Sequence, residues 1–496
     1  MTQDQVVAAT LAAGRPSGGA APADRGERRS GGAVASRSTA SSTHVLVEEH
    51  PEHEGGRVAA QQVVGGAVPG GAQGRHARIV PHRFPGRRRP AAGAPGLPAL
   101  ASRRRPATVL GMIALRADRV YRGPGAWGPG AVLVEGGVVA DVCTDGGGLP
   151  PDVTDLGDVT VLPGLVDCHV HLGFDCSADV VTPLLHDGND VLLRRMADHA
   201  RTALAAGVTT VRDLGDRRFL SLALRDALRA EPSSGPELLV SGPPLTRTRG
   251  HCWFLGGEAD TTEQLRAAVR DRAERGCDVV KVMATGGALT PGFGLHESQY
   301  DVEHLAAVVA EARAVGLPVA AHAHGPAGIR DSVAAGVDSV EHCSWFTADG
   351  VDVDWGVARR MADDGVVVGA TLGRRPGAAP LPAVAQRLEG YLATVADLVG
   401  LGVTVVAGTD GGVSPGKPHD VLPLGIVALT DRGVALDDAL ATATTSAAAA
   451  CGVGGRKGRL ARGYDADLLV VRGDPRRDPA ALLEVDRVYR AGVRVR

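Results

Sequence analysis

Six residues of this 496-residue chain stand where apolar runs end, and their types suit metal-assisted hydrolysis. In Pro163-Gly164-Leu165-Val166-Asp167-Cys168-His169-Val170-His171-Leu172, the two histidines lie two apart. On an extended strand such side chains point the same way, so His169 and His171 can grip one cation, while Cys168 faces the opposite, core side. The run Val319-Ala320-Ala321-His322-Ala323-His324-Gly325 repeats that arrangement, Val340-Glu341-His342-Cys343 adds His342, and Ala407-Gly408-Thr409-Asp410 adds a carboxylate. Lys281 sits in Val279-Val280-Lys281-Val282-Met283, one of only three lysines in a chain with 50 arginines. Apolar neighbours depress an amine's pKa, and a neutral amine can take up carbon dioxide to give a carbamate anion able to bridge two cations. One His-x-His is a common accident of strand ends, whereas the joint set describes a two-cation hydrolytic site, its ions ~3.5–4 Å apart around a bridging hydroxide.

Such a set needs strands that deliver it to one place. Apolar runs at 165–172, 208–214, 237–241, 278–283, 318–324, 339–343, 366–370 and 403–409 alternate with helical patterns. Two helices are well delimited: one runs from 262 to Gly276 behind the candidate N-cap Thr261, and another from 302 to Gly316. Alternation implies a parallel sheet, and eight strands close a (β/α)8 TIM-like barrel, whose strand C-termini carry active sites. Short strand patterns at 119–122, 131–135, 137–142 and 159–163 match in texture those at 466–472, 485–490 and 492–495. The expected organisation is therefore an α/β chain with a small β-sandwich domain built from 109–162 and 456–496, and a hydrolase barrel over 163–455.

Residues 1–108 show no sustained periodicity and read as a disordered Ala/Gly/Arg-rich extension. A solvated linker and a polyanion-binding tail both fit that composition, but Met112, just before the first strand pattern, reads as the natural start. Residues 1–111 carry 15 Arg against 7 acidic residues, so the chain's net −3 divides into +8 there and −11 in the remaining 385. That negative balance, with only 3% aromatic residues, disfavours nucleic acid as a partner of the folded region. Seven cysteines without a CxxC spacing argue against a disulfide framework and for a reducing, cytoplasmic setting. No run of about 18 apolar residues predicts a membrane span, and no export signal precedes the fold.

The chain resembles the amidohydrolase superfamily, in its binuclear metal-dependent branch related to Xaa-Pro dipeptidases and imidazolonepropionase-like enzymes. The likeness rests on residues 163–172, Gly250-His251-Cys252-Trp253-Phe254-Leu255-Gly256-Gly257, residues 280–287, residues 322–325, Glu341-His342 and residues 408–412. It implies that His169, His171 and Asp410 hold the buried ion, that His322 and His342 hold the outer one, and that carboxylated Lys281 bridges them. Asp410 would also shuttle the proton from the attacking hydroxide to the leaving amine. His324 is left to a ligand-supporting or substrate contact, His251 in the loop after the third strand to a substrate contact or a structural hydrogen bond, and Tyr300 resembles a position near the scissile carbonyl. Tyr300 reads equally as a helix-start packing residue, and Arg247, Arg249, Arg374 and Arg375 are further candidates for a substrate carboxylate. His419 departs from the family's His-Gly pattern. The implied cofactors are two divalent ions, zinc first, with manganese, cobalt or iron alternatives. The implied reaction is C–N cleavage of a small-molecule substrate, compatible with a homo-oligomer. A lactonase, esterase or phosphotriesterase on the same bimetal site is the alternative reading. A mononuclear deaminase is a second alternative, which the absence of Glu after His324 disfavours.

Overall fold

The structure, a computed structural model, describes residues 112–144 and 149–496. The expected disordered extension therefore lies outside the described residues. Among the described residues sixteen strands occur in chain order: β1 (Ile113–Tyr121), β2 (Trp127–Glu135), β3 (Val138–Cys143), β4 (Val153–Asp155), β5 (Val159–Pro163), β6 (Leu165–Val170), β7 (Val208–Asp213), β8 (Glu237–Val240), β9 (Val280–Met283), β10 (Val319–Ala323), β11 (Ser339–His342), β12 (Val367–Thr371), β13 (Val405–Gly408), β14 (Leu468–Arg472), β15 (Val485–Arg490) and β16 (Val493–Arg494).

Strands β6 to β13 are parallel and separated by helices, which gives the α/β fold. They form a three-stranded sheet, β6-β7-β8, and a five-stranded sheet, β13-β12-β11-β10-β9. Isolated parallel bridges, Val170 to Gly411 and Leu245 to Val282, connect the sheets at both edges. Their residues are almost continuously buried, as parallel strands covered on both faces must be. The helix Thr262–Arg275 starts with a capping box, in which Thr261 accepts from the Gln264 amide and Gln264 reaches back. Gly276 and Gly316 end their helices in the left-handed region, where glycine carries no Cβ penalty.

The remaining strands pair as β16-β15-β14-β5-β1-β2-β3, with β4 on β1. Hydrogen bonding runs continuously through this sheet, β5 pairing with β1 on one side and β14 on the other, and an isolated bridge from Val138 to Asp465 brings its β3 end back to the residues before β14. Its two halves share one apolar cluster that includes Leu115, Val132, Val139, Leu468 and Val470.

Candidate metal centre

His169 lies in β6 and His171 one residue beyond it, and the loop after β13 closes on them. The Asp410 amide donates to the His169 carbonyl (2.7 Å) and the His171 amide to the Gly411 carbonyl (3.0 Å). This places Asp410 Oδ1 3.7 Å from His169 Nε2 and 3.4 Å from His171 Nε2. One donor atom from each of the three lies within 4.8 Å of the others. His322 in β10, His324 just past it and His342 at the end of β11 form a second such group. His342 and Asp410 both have left-handed backbones, with φ of 65° and 54°. Non-glycine residues occupy that region at a cost of ~1–3 kcal/mol, a strain characteristic of functional sites.

Each imidazole is oriented by its second nitrogen. His169 Nδ1 meets Glu341 Oε2 at 2.9 Å, His171 Nδ1 meets the Gly215 carbonyl at 3.0 Å, and His322 Nε2 meets the Gly286 carbonyl at 2.9 Å. His324 Nδ1 pairs with Ser344 (2.9 Å) and His342 Nδ1 with Thr371 (3.1 Å). Metal-binding histidines are held in this way, one nitrogen fixed so that the other presents its lone pair. Burial pushes all five imidazoles down, His169 to about 4 and His324 to about 3, which favours the neutral form that a metal ligand requires.

Lys281 lines the same cavity as both groups. Its amine is buried and has no hydrogen-bond partner among the described residues, and burial lowers its pKa to about 8. An orphaned, readily deprotonated amine sharing a cavity with two three-donor clusters fits carboxylation and the bridging of two cations, so the residues present suit a binuclear divalent centre. Asp410 stays ionised: burial opposes its charge, but His169, His171, Lys417 and Lys281 together hold it below the ordinary range.

The donors line a cavity of about 410 Å³. His251 and His324 also line it, and the Nδ1 of His251 is buried without a hydrogen-bond partner. Tyr300 does not reach the cavity. Its hydroxyl donates to the Ala259 carbonyl at 2.6 Å and Arg247 lies over its ring, so the expected carbonyl contact is replaced by the packing role. Of the four arginine candidates only Arg374 lines the cavity; Arg375 is paired with Asp420, and Arg247 donates to the Gln299 carbonyl. Cys168 is buried on the far side of β6, as its strand position requires.

The sequence reading assigned no role to Glu341 or Arg212. Arg212 donates to Glu341 Oε1 (3.0 Å) and to the Cys168 carbonyl (2.7 Å), and Ser339 donates to the same carboxylate oxygen (2.7 Å). Burial would raise the Glu341 pKa, but Arg212 and His169 hold it well below the carboxylate range. The available signal was a charge inside each of two short strand runs, Arg212 in Val208–Asp213 and Glu341 in Ser339–His342. Lys417, whose amine donates to the Thr409 and Thr371 carbonyls, was likewise unassigned.

Residues 160–495 match the amidohydrolase family. The chain is 28% identical over 380 residues to ochratoxinase of Aspergillus niger, covering 67% of this chain and 75% of that enzyme. It is 28% identical over 360 residues to imidazolonepropionase of Salinispora tropica, covering 69% and 85%. Among solved structures, a Xaa-Pro dipeptidase with methionine bound in its active site superposes with a TM-score of 0.68 at 26% identity, over 77% of this chain and 99% of that one. The A. niger ochratoxinase structure gives 0.65 at 26% identity, over 77% and 95%.

Proposed function

Because this chain belongs to the amidohydrolase family and is a hydrolase acting on carbon–nitrogen bonds, we propose that it cleaves an amide or peptide-like bond of a small substrate at a binuclear metal centre. The observation that carries this reading is the orphaned, buried Lys281 amine in the same cavity as two three-donor clusters. His169, His171 and Asp410 would hold one cation and His322 and His342 the other, with carboxylated Lys281 between them. Two such ions, zinc or another divalent metal, supply Lewis acidity and activate water. Asp410, kept ionised by its neighbours, accepts the proton of the attacking water and returns it to the leaving nitrogen. His251 and His324 face the substrate. The bridges at both sheet edges support a closed (β/α)8 barrel, with His169, His322 and His342 at or near the C-terminal ends of their strands and Asp410 just past β13. The small β unit would be 109–162 with 456–496, and the catalytic unit 163–455.

The upper cavity wall is apolar, with Leu381, Val384, Leu388 and Val427, and carries Arg374. That lining suits an acyl amino acid or dipeptide with one apolar side chain and a carboxylate. The test is amine release from a panel of dipeptides and N-acyl amino acids by protein loaded with zinc or manganese in bicarbonate. Turnover should fall by about three or more orders of magnitude in Lys281→Ala and in Asp410→Asn, with the far-ultraviolet circular dichroism unchanged. Near wild-type turnover in either variant would break the mechanism.

A further inference from the structure

Outside the cavity, a third group of metal-type donors comes together from three distant segments. Cys176 lies in the turn after β6, His199 in the helix Asn189–Ala205, and His419 in the loop after β13. One donor atom from each lies within 4.8 Å of the other two. The orientation of the two imidazoles is more telling than their proximity. His199 Nδ1 meets the Leu172 carbonyl at 2.9 Å, and His419 Nε2 meets the His171 carbonyl at 3.2 Å. Only N–H groups can satisfy carbonyls, so both tautomers are fixed, leaving His199 Nε2 and His419 Nδ1 with free lone pairs. His419 is fully buried and its Nδ1 has no hydrogen-bond partner among the described residues. A histidine bonded to a backbone carbonyl through one nitrogen and bare at the other is the usual posture of a metal ligand.

We propose that Cys176, His199 and His419 form a separate, structural site for a borderline transition-metal ion, zinc above all. Thiolate with two imidazoles is a donor set that zinc and similar ions take and that hard, oxygen-seeking cations do not. Ligand bonds of ~2.0–2.3 Å around a tetrahedral ion require donors about 3.5 Å apart, and the two imidazoles, stacked here with centroids 4.3 Å apart and planes 19° from parallel, turn to bring both lone pairs onto one ion. The Cys176 thiol loses its proton to solvent as the sulfur–metal bond forms. Asp420, whose other carboxylate oxygen is paired with Arg375, keeps its Oδ1 buried without a hydrogen-bond partner among the described residues, and the fourth position falls to that oxygen or to water. The ion would tie together three segments and, through the two carbonyl contacts, brace the backbone at His171 and Leu172.

Thiolate ligation makes the site separable from the binuclear centre, whose proposed ligands contain no sulfur. The full chain is titrated with Co²⁺ and followed in the near ultraviolet for sulfur-to-cobalt charge transfer, with metal content determined by plasma mass spectrometry. The wild-type protein should develop the band. Cys176→Ser should lose it and bind one equivalent less, and Zn²⁺ should protect Cys176 selectively from iodoacetamide in peptide mapping. Absence of the band in the cobalt-loaded wild type, where no variant's folding is at issue, would overturn the proposal. So would a band that survives in Cys176→Ser, since the thiolate would then be another cysteine.

Discussion

Glu341 is fully buried, and its charge is balanced on two sides: Arg212 and Ser339 on one oxygen, His169 on the other. The carboxylate keeps His169 in the tautomer whose Nε2 lone pair faces Asp410 and holds the only charge opposite buried Arg212 in this group. Glu341→Gln removes that charge and strands a guanidinium in the interior. The expected cost is about 3–5 kcal/mol in urea unfolding, with metal affinity falling about 10–100-fold in competition with a chelator. Tyr300 makes a contrasting case, because its hydroxyl serves the Ala259 carbonyl rather than the cavity. Tyr300→Phe should lower stability by about 1 kcal/mol while kcat and KM stay at their wild-type values. A raised KM would return Tyr300 to the substrate side.

At the scale of elements, the site depends on close packing between strands. A Cβ on Gly369 of β12 would lie 2.2 Å from Glu341 Oε2, and one on Gly408 of β13 would lie 2.5 Å from the His169 Cβ. Glycine at these two places makes room for a buried carboxylate and for the approach of β13 to β6. Gly369→Ala is expected to destabilise by at least about 1–3 kcal/mol, seen as a lower thermal midpoint, and to weaken metal binding because the displaced group is the one that orients His169. The ligand-bearing strands were legible in the sequence because ligand-type residues interrupt or end short apolar runs: His322 and Lys281 announce themselves against Ala and Val. Glu341 and Arg212 were not, because what explains them is a contact between strands 129 residues apart. Cys176, His199 and His419 were illegible for the same reason, having no shared spacing and meeting only when β6, its following helix and the β13 loop are packed. Arg374 and Arg375 show the limit from the other side: adjacent in sequence, one lines the cavity and the other pairs with Asp420.

Across the whole molecule, the sheet built from both ends of the described chain is tied to the catalytic part by ionic contacts at Glu237, the first residue of β8. Arg456 Nη1 reaches Glu237 at 2.9 Å, Lys457 at 3.2 Å and Arg490 at 3.5 Å. Burial works against the Glu237 charge, but Arg456, Lys457 and Arg490 bring its pKa from 4.5 down to about 2. A carboxylate whose pKa is lowered on folding contributes stability that is whole above its ordinary value and is lost as pH falls toward the folded one. Glu237→Gln should therefore cost up to about 3 kcal/mol at pH 7, and the gap to wild type should close between pH 4.5 and about 2 in pH-resolved denaturant melts. A gap independent of pH would assign the loss to packing instead. The pairing of β5 with β14 has a further, temporal meaning. Leu162 and Leu469 are register partners separated by more than 300 positions, and every residue of the catalytic part lies between them. During synthesis β1 to β5 emerge before the strands that lie between them and β14, and β5 waits for its second partner until β14 follows. Completion of this sheet is thus a late, high-contact-order event, and a nascent chain halted before residue 468 would hold its catalytic strands and still lack the partner that closes its beginning.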